Sequence, residues 1–197
     1  MKNQSYTVFF NVTRMTSLQK CRGELHIRAE VVTNTKDIFV ANFSGKKLKN
    51  TDGIFGRSDP FLVIHRIMED GAWLKVWQND PIDNNLNPVW PVSRIPMTAL
   101  CNGDIDRPIK IETWDHQSNG KHQYMGCVET TVRGLVASKG APFDVIEADK
   151  KAKKASYVNS GTLIVANAVV EHYPTLAEVC FRRSIFHFHV NSCYQSL

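Results

Sequence analysis

The sequence has 197 residues, 43% hydrophobic and 22% charged, which suits one folded domain with a full core and excludes a disordered or collagen-like chain. It sets 24 Lys and Arg against 19 Asp and Glu, a formal charge of +5, and no apolar run approaches the ~18 residues of a membrane-spanning helix. Residues 6–12 are too short and too polar for the apolar heart of a signal peptide, so a cytoplasmic protein is expected. The five cysteines, Cys21, Cys101, Cys127, Cys180 and Cys193, are scattered and form no CxxC pair, which argues against a disulfide framework or a cysteine-rich zinc site.

Residues 1–20 show no clear pattern and read as a poorly defined lead or a stray strand. From there the period is two. Leu25, Ile27 and Ala29 alternate with Glu24, His26, Arg28 and Glu30, which predicts a strand over 23–33. A second strand is expected over 38–43, followed by the basic group Lys46, Lys47 and Lys49 and a turn at Thr51, Asp52 and Gly53. Phe61 and Val63 then alternate with Leu62 and Ile64 in a strand over 60–68 that is apolar on both faces, and Asp70-Gly71 turns it into a strand over 73–78. Further strands are expected over 89–97, 109–115, 124–131 and 162–171, separated by Asn, Gly and Asp at 84–85, 102–104, 118–120 and 159–161. A short helix or irregular link fits 136–151, which ends in the lysine run Lys150, Lys151, Lys153 and Lys154. The reading is all-β, an eight-stranded antiparallel sandwich over 21–173 with a tail over 174–197.

Several phrases in this order resemble the C2 domain, and more narrowly the second C2 domain of the copines. Asp52 opens and Ser58-Asp59-Pro60-Phe61 closes a stretch similar to the family's first calcium loop. Asn87-Pro88-Val89-Trp90 is similar to its turn-and-strand signature, and Leu100-Cys101-Asn102-Gly103-Asp104 with Arg107-Pro108-Ile109 resembles copines in particular. Trp114-Asp115 with Ser118-Asn119-Gly120-Lys121-His122 resembles the copine third loop, and Asn159-Ser160-Gly161-Thr162-Leu163 the approach to the last strand. A full copine carries another C2 domain before this one and a von Willebrand A-type domain after it. Neither is recognised in these residues, so a fragment, an isoform or a shortened paralogue is expected.

The resemblance implies calcium-dependent phospholipid binding in a signalling or trafficking setting at the plasma membrane. It also implies calcium ligands at Asp52, Asp59 and Asp115, brought together from two loops. Calcium takes six to eight oxygen ligands, largely carboxylates. The family pattern has acidic residues two and eight positions after Asp115, where this chain has Gln117 and Gln123. Five carboxylates balance two calcium ions and three do not, so a weak site or a lost one is expected. Ile54 and Phe55 between Gly53 and Gly56 suit an apolar membrane tip, or alternatively a fold back onto the sandwich edge. Arg57, Lys121 and His122, with Lys46 and Lys47, are placed to meet anionic phosphates.

The remaining constellations point to packing rather than chemistry. His187, His189 and Cys193 lie in an apolar tail and are read as incidental, although such groups can hold zinc. Asn11-Val12-Thr13 and Asn42-Phe43-Ser44 fit the glycosylation pattern by chance. No phosphate loop, GxSxG elbow or HExxH occurs, and a catalyst is not expected. Trp73, Trp77, Trp90 and Trp114 sit in strand patterns and suit packing better than base stacking, so nucleic acid is not an expected partner. A protein adaptor, in which Gln117 and Gln123 mark a lost ion, is the rival to membrane docking.

Overall fold

The computed structural model describes residues 36–53 and 56–174. The lead, the strand expected over 23–33, the pair Ile54 and Phe55, and the tail with His187, His189 and Cys193 lie outside the described residues. Within them the chain builds eight strands: β1 (Ile38–Lys46), β2 (Pro60–Ile67), β3 (Trp73–Gln78), β4 (Ser93–Pro96), β5 (Ile109–Asp115), β6 (Gln123–Thr130), β7 (Pro142–Asp144) and β8 (Thr162–Glu171). Three short helices join them: α1 (Met97–Cys101), α2 (Val132–Ser138) and α3 (Ala148–Lys153). The strands form two four-stranded sheets in the orders β4-β1-β8-β7 and β3-β2-β5-β6. Every pairing is antiparallel.

Alternation explains which face meets the core. In β5, Ile109, Ile111, Thr113 and Asp115 are buried while Lys110, Glu112 and Trp114 are half-exposed on the other face. In β1, Phe39, Ala41 and Phe43 point inward to meet Leu62 and Ile64 of β2 and Leu163 and Val165 of β8 in one cluster. Burial of such side chains contributes about 1.5–3 kcal/mol each before conformational entropy is counted.

Two expected elements differ. Of the stretch 89–97, only Ser93–Pro96 is a strand. The part before it instead runs along the end of β1, where Gly45 N–H donates to Pro88 O at 2.8 Å and Trp90 N–H to Phe43 O at 3.0 Å. There the Trp90 ring is sealed in the core at 2% exposure, and its indole N–H donates to Pro60 O at 3.2 Å. The link over 136–151 is also richer than expected. It contains the end of α2, the three-residue strand β7 against β8, and the start of α3.

Topology collects one set of ends. Lys46 pairs with Thr162 at the end of β1, and Pro60, the first residue of β2, pairs with Asp115, the last of β5. Asp115 in turn faces Gln123, the first residue of β6. The segments 47–59 and 116–122 therefore leave the sandwich side by side.

Candidate functional site

The first of these segments is fixed at its base by Ser58. Its buried hydroxyl accepts the Thr51 N–H at 2.8 Å and donates to Lys49 O at 3.3 Å. Asn50 organises the outer part, donating through its side-chain amide to Gly53 O at 2.6 Å and Gly56 O at 2.9 Å. Its own oxygen accepts the Asp52 N–H at 3.2 Å.

Asp115 fastens the two segments together. It is fully buried, and its Oδ1 accepts the Asp59 N–H at 2.6 Å. Its Oδ2 accepts the Thr51 hydroxyl and, at 3.3 Å, the Gln117 amide. Asp59 is engaged as well: its Oδ1 accepts the Asn84 N–H at 2.6 Å, and its carbonyl accepts the His116 N–H at 3.0 Å. Asp52 is exposed, and its Oδ1 accepts the Gln117 Nε2–H at 2.9 Å.

The structure thus brings Asp52, Asp59, Asp115 and Gln117 into one junction, while Gln123 is exposed at the start of β6. As arranged, this donor set does not fit calcium. Both Asp115 oxygens are held by protein donors, and the amide of Gln117 lies between Asp115 and Asp52. Among the described residues no group of three His, Cys, Asp or Glu side chains converges as a metal site.

The basic residues surround this junction. Arg57 is exposed in the first segment, and Lys46 and Lys47 are exposed where it begins. Lys47 has a left-handed backbone (φ 54°), and its N–H donates to the Asn87 side chain at 2.9 Å. Lys121 and His122 are exposed in the second segment. The His122 ring meets Phe61 edge-on at 5.1 Å and His116 at 4.9 Å, while its Nδ1 accepts the Gln117 N–H at 3.1 Å. Lys121 and His122 form one rim of a groove of about 420 Å³ on the outer face of the second sheet, with Lys75, Trp114, His65 and Phe61 among its lining. Burial pushes the His65 imidazole below its ordinary value, Glu112 opposing and Lys110 and Lys75 reinforcing the shift.

The two lysine runs meet over Glu147. Its carboxylate receives Lys49 at 3.4 Å and Lys150 at 2.7 Å. Burial works against the Glu147 charge, but the two ammoniums hold its carboxyl below the usual range. Lys49 and Lys150 are thus partly neutralised, while Lys151, Lys153 and Lys154 are exposed. Sequence reasoning missed Thr51, Ser58, Asn84 and His116 as parts of the junction. Thr51 and Ser58 stand inside the first-loop phrase, and the Ser-Asp-Pro pattern was the signal available for Ser58.

The family model for the C2 domain matches residues 36–146, more than half of the chain. The chain belongs to the C2 domain family. C2 domains are modules that bind calcium and phospholipid or other proteins. The domain is similar to a solved structure described as BON1-C2B, with 28% identity and a TM-score of 0.54 over 70% of this chain and 93% of that one. A C2 domain of plant extended synaptotagmin 1 matches at 16% identity and a TM-score of 0.49, over 72% of this chain and 98% of that one. Within this C2 domain, no helix among the described residues is long and apolar enough to cross a membrane.

Proposed function

We propose that this is a copine-like C2 domain that docks peripherally on anionic phospholipid at the plasma membrane, with calcium contributing little. The observation that carries the reading is the gathering of exposed Arg57, Lys121 and His122 on two adjoining segments, with Lys46 and Lys47 where the first of them begins. Each Lys or Arg near an anionic surface contributes about 1 kcal/mol, while His122, whose Nδ1 accepts the Gln117 N–H, offers its other ring nitrogen as a hydrogen-bond donor. The apolar pair Ile54 and Phe55 adds shallow insertion to that attraction. The copine assignment rests on the phrases around Leu100 to Asp104 and Ser118 to His122. In the structure the first of these closes α1, with Asn102 as its left-handed cap.

The test is co-sedimentation with phosphatidylserine vesicles in millimolar calcium and in chelator. Binding is expected in both conditions and not to phosphatidylcholine alone. Protein that stays in the supernatant at every lipid charge overturns the reading in favour of a protein adaptor. Binding only with calcium keeps the membrane and overturns the calcium clause.

A further inference from the structure

Two carboxylates, Asp52 and Asp115, meet at one side-chain amide, and Asp59 adjoins them through its backbone N–H on Asp115. Asp52 and Asp115 approach from different segments, and like charges held this close repel unless positive density lies between them. A calcium ion would supply it by taking oxygen ligands at about 2.3–2.6 Å. Here the density comes from the chain itself. The Gln117 nitrogen lies 2.9 Å from Asp52 Oδ1 and 3.3 Å from Asp115 Oδ2, and its two N–H groups suffice for both. Facing two carboxylate oxygens, the amide has to turn its nitrogen inward, because its oxygen there would add repulsion.

We infer that the Gln117 side-chain amide stands in place of a cation and keeps the two docking segments joined without one. The inference rests on the proposed membrane reading for its biological meaning but not for its chemistry. The amide and an ion compete for the same Asp52 Oδ1 and Asp115 Oδ2 atoms. Gln117 is also anchored at its backbone. Its backbone N–H donates to His122 Nδ1 at 3.1 Å and its carbonyl accepts the Gly120 N–H at 2.9 Å, which fixes the residue within its own loop. Neighbouring donors occupy further oxygens that an ion would need, with Asp59 N–H on Asp115 Oδ1 and Asn84 N–H on Asp59 Oδ1. The site is thus preset in the joined arrangement and indifferent to the ion.

Exchanging the amide for a carboxylate reverses the situation. Gln117→Asp removes both donors, adds a fourth negative charge, and leaves the cluster in need of a cation. The experiment is a thermal melt of the full chain without lipid, in chelator and in calcium at about 5 mM, which is above the ~0.1–1 mM Kd range of weak all-oxygen calcium sites. The wild-type midpoint is expected to be the same in both. Gln117→Asp is expected to melt lower in chelator and to rise by about 4 °C or more with calcium. Should Gln117→Asp fail to fold, Gln117→Glu carries the same test with a longer arm.

A wild-type midpoint that rises with calcium as far as the variant's overturns the inference, because the amide then does not exclude the ion. So does a folded carboxylate variant that ignores calcium, because the amide was then not the obstacle. Neither result depends on vesicles. Failure of the membrane reading shows only in co-sedimentation, where the wild type would stay in solution whatever its melts had shown.

Discussion

Asp115 is a buried carboxylate, and its oxygens are met by donors from three places. The Asp59 backbone, the Thr51 hydroxyl and the Gln117 amide all converge on its two oxygens. Truncating it would leave several of these donors without their partner, a penalty of about 1–3 kcal/mol for each group that stays buried. Asp115→Ala is therefore expected to lower unfolding stability by about 3 kcal/mol in a urea melt. Asp115→Asn should lose less, since its amide oxygen still accepts one bond. Equal losses for the two variants would mean that shape, and not hydrogen bonding, is what Asp115 provides. At this scale the sequence was partly readable. The acidic positions are marked by the loop phrases, but a phrase says nothing about what each oxygen touches. That the Gln117 amide reaches both Asp52 and Asp115 depends on distances that only the folded loops define.

At the scale of elements, strands with strong alternation or β-branched runs were legible to the residue. The expected bounds 73–78, 109–115 and 162–171 coincide with β3, β5 and β8. In β5, apolar Ile109 and Ile111 alternate with charged Lys110 and Glu112, so period and burial agree. Elsewhere tertiary contacts decided the outcome. Val89 and Trp90 are β-formers, yet Pro88 and Pro91 limit regular pairing and leave only an isolated bridge from Val89 to Ser44. β7 is three residues long, begins with proline and contributes no fully buried side chain, so no period could reveal it. Gly161 shows what the phrase at 159–163 is for. Its φ is +107°, and a Cβ there would come within 2.6 Å of Lys47 O and 2.7 Å of Leu48 Cα, both backbone atoms. The start of β8 is thus pressed against the strand-to-loop corner that carries Lys46 and Lys47. Gly161→Ala is expected to cost about 3 kcal/mol or more, read as a lowered denaturation midpoint. Near-wild-type stability would show that this corner yields more easily than close backbone packing suggests.

Across the whole molecule, a charge of +5 is modest, but the fold gathers part of it. Lysine runs far apart in sequence meet over Glu147, and the loop cations lie where two segments emerge together. Attraction built on exposed charge is screened by salt, with a Debye length of about 10 Å at 0.1 M and less above it. Raising NaCl from about 0.1 to 0.5 M is therefore expected to release most of the protein from phosphatidylserine vesicles. Retention at high salt would shift the weight of docking from the basic residues to apolar insertion.

The tryptophans give the molecule its own optical readout. Trp90, enclosed among core side chains, emits in a dry environment for as long as the sandwich is folded. Trp114 lies half-exposed beside Tyr124 and lines the groove rimmed by Lys121 and His122. Heavy-atom quenchers carried by brominated lipid should dim Trp114 on docking and leave Trp90 bright. With Trp73 and Trp77 replaced by Phe, one emission spectrum then separates a domain that has bound a surface from one that has come apart on it.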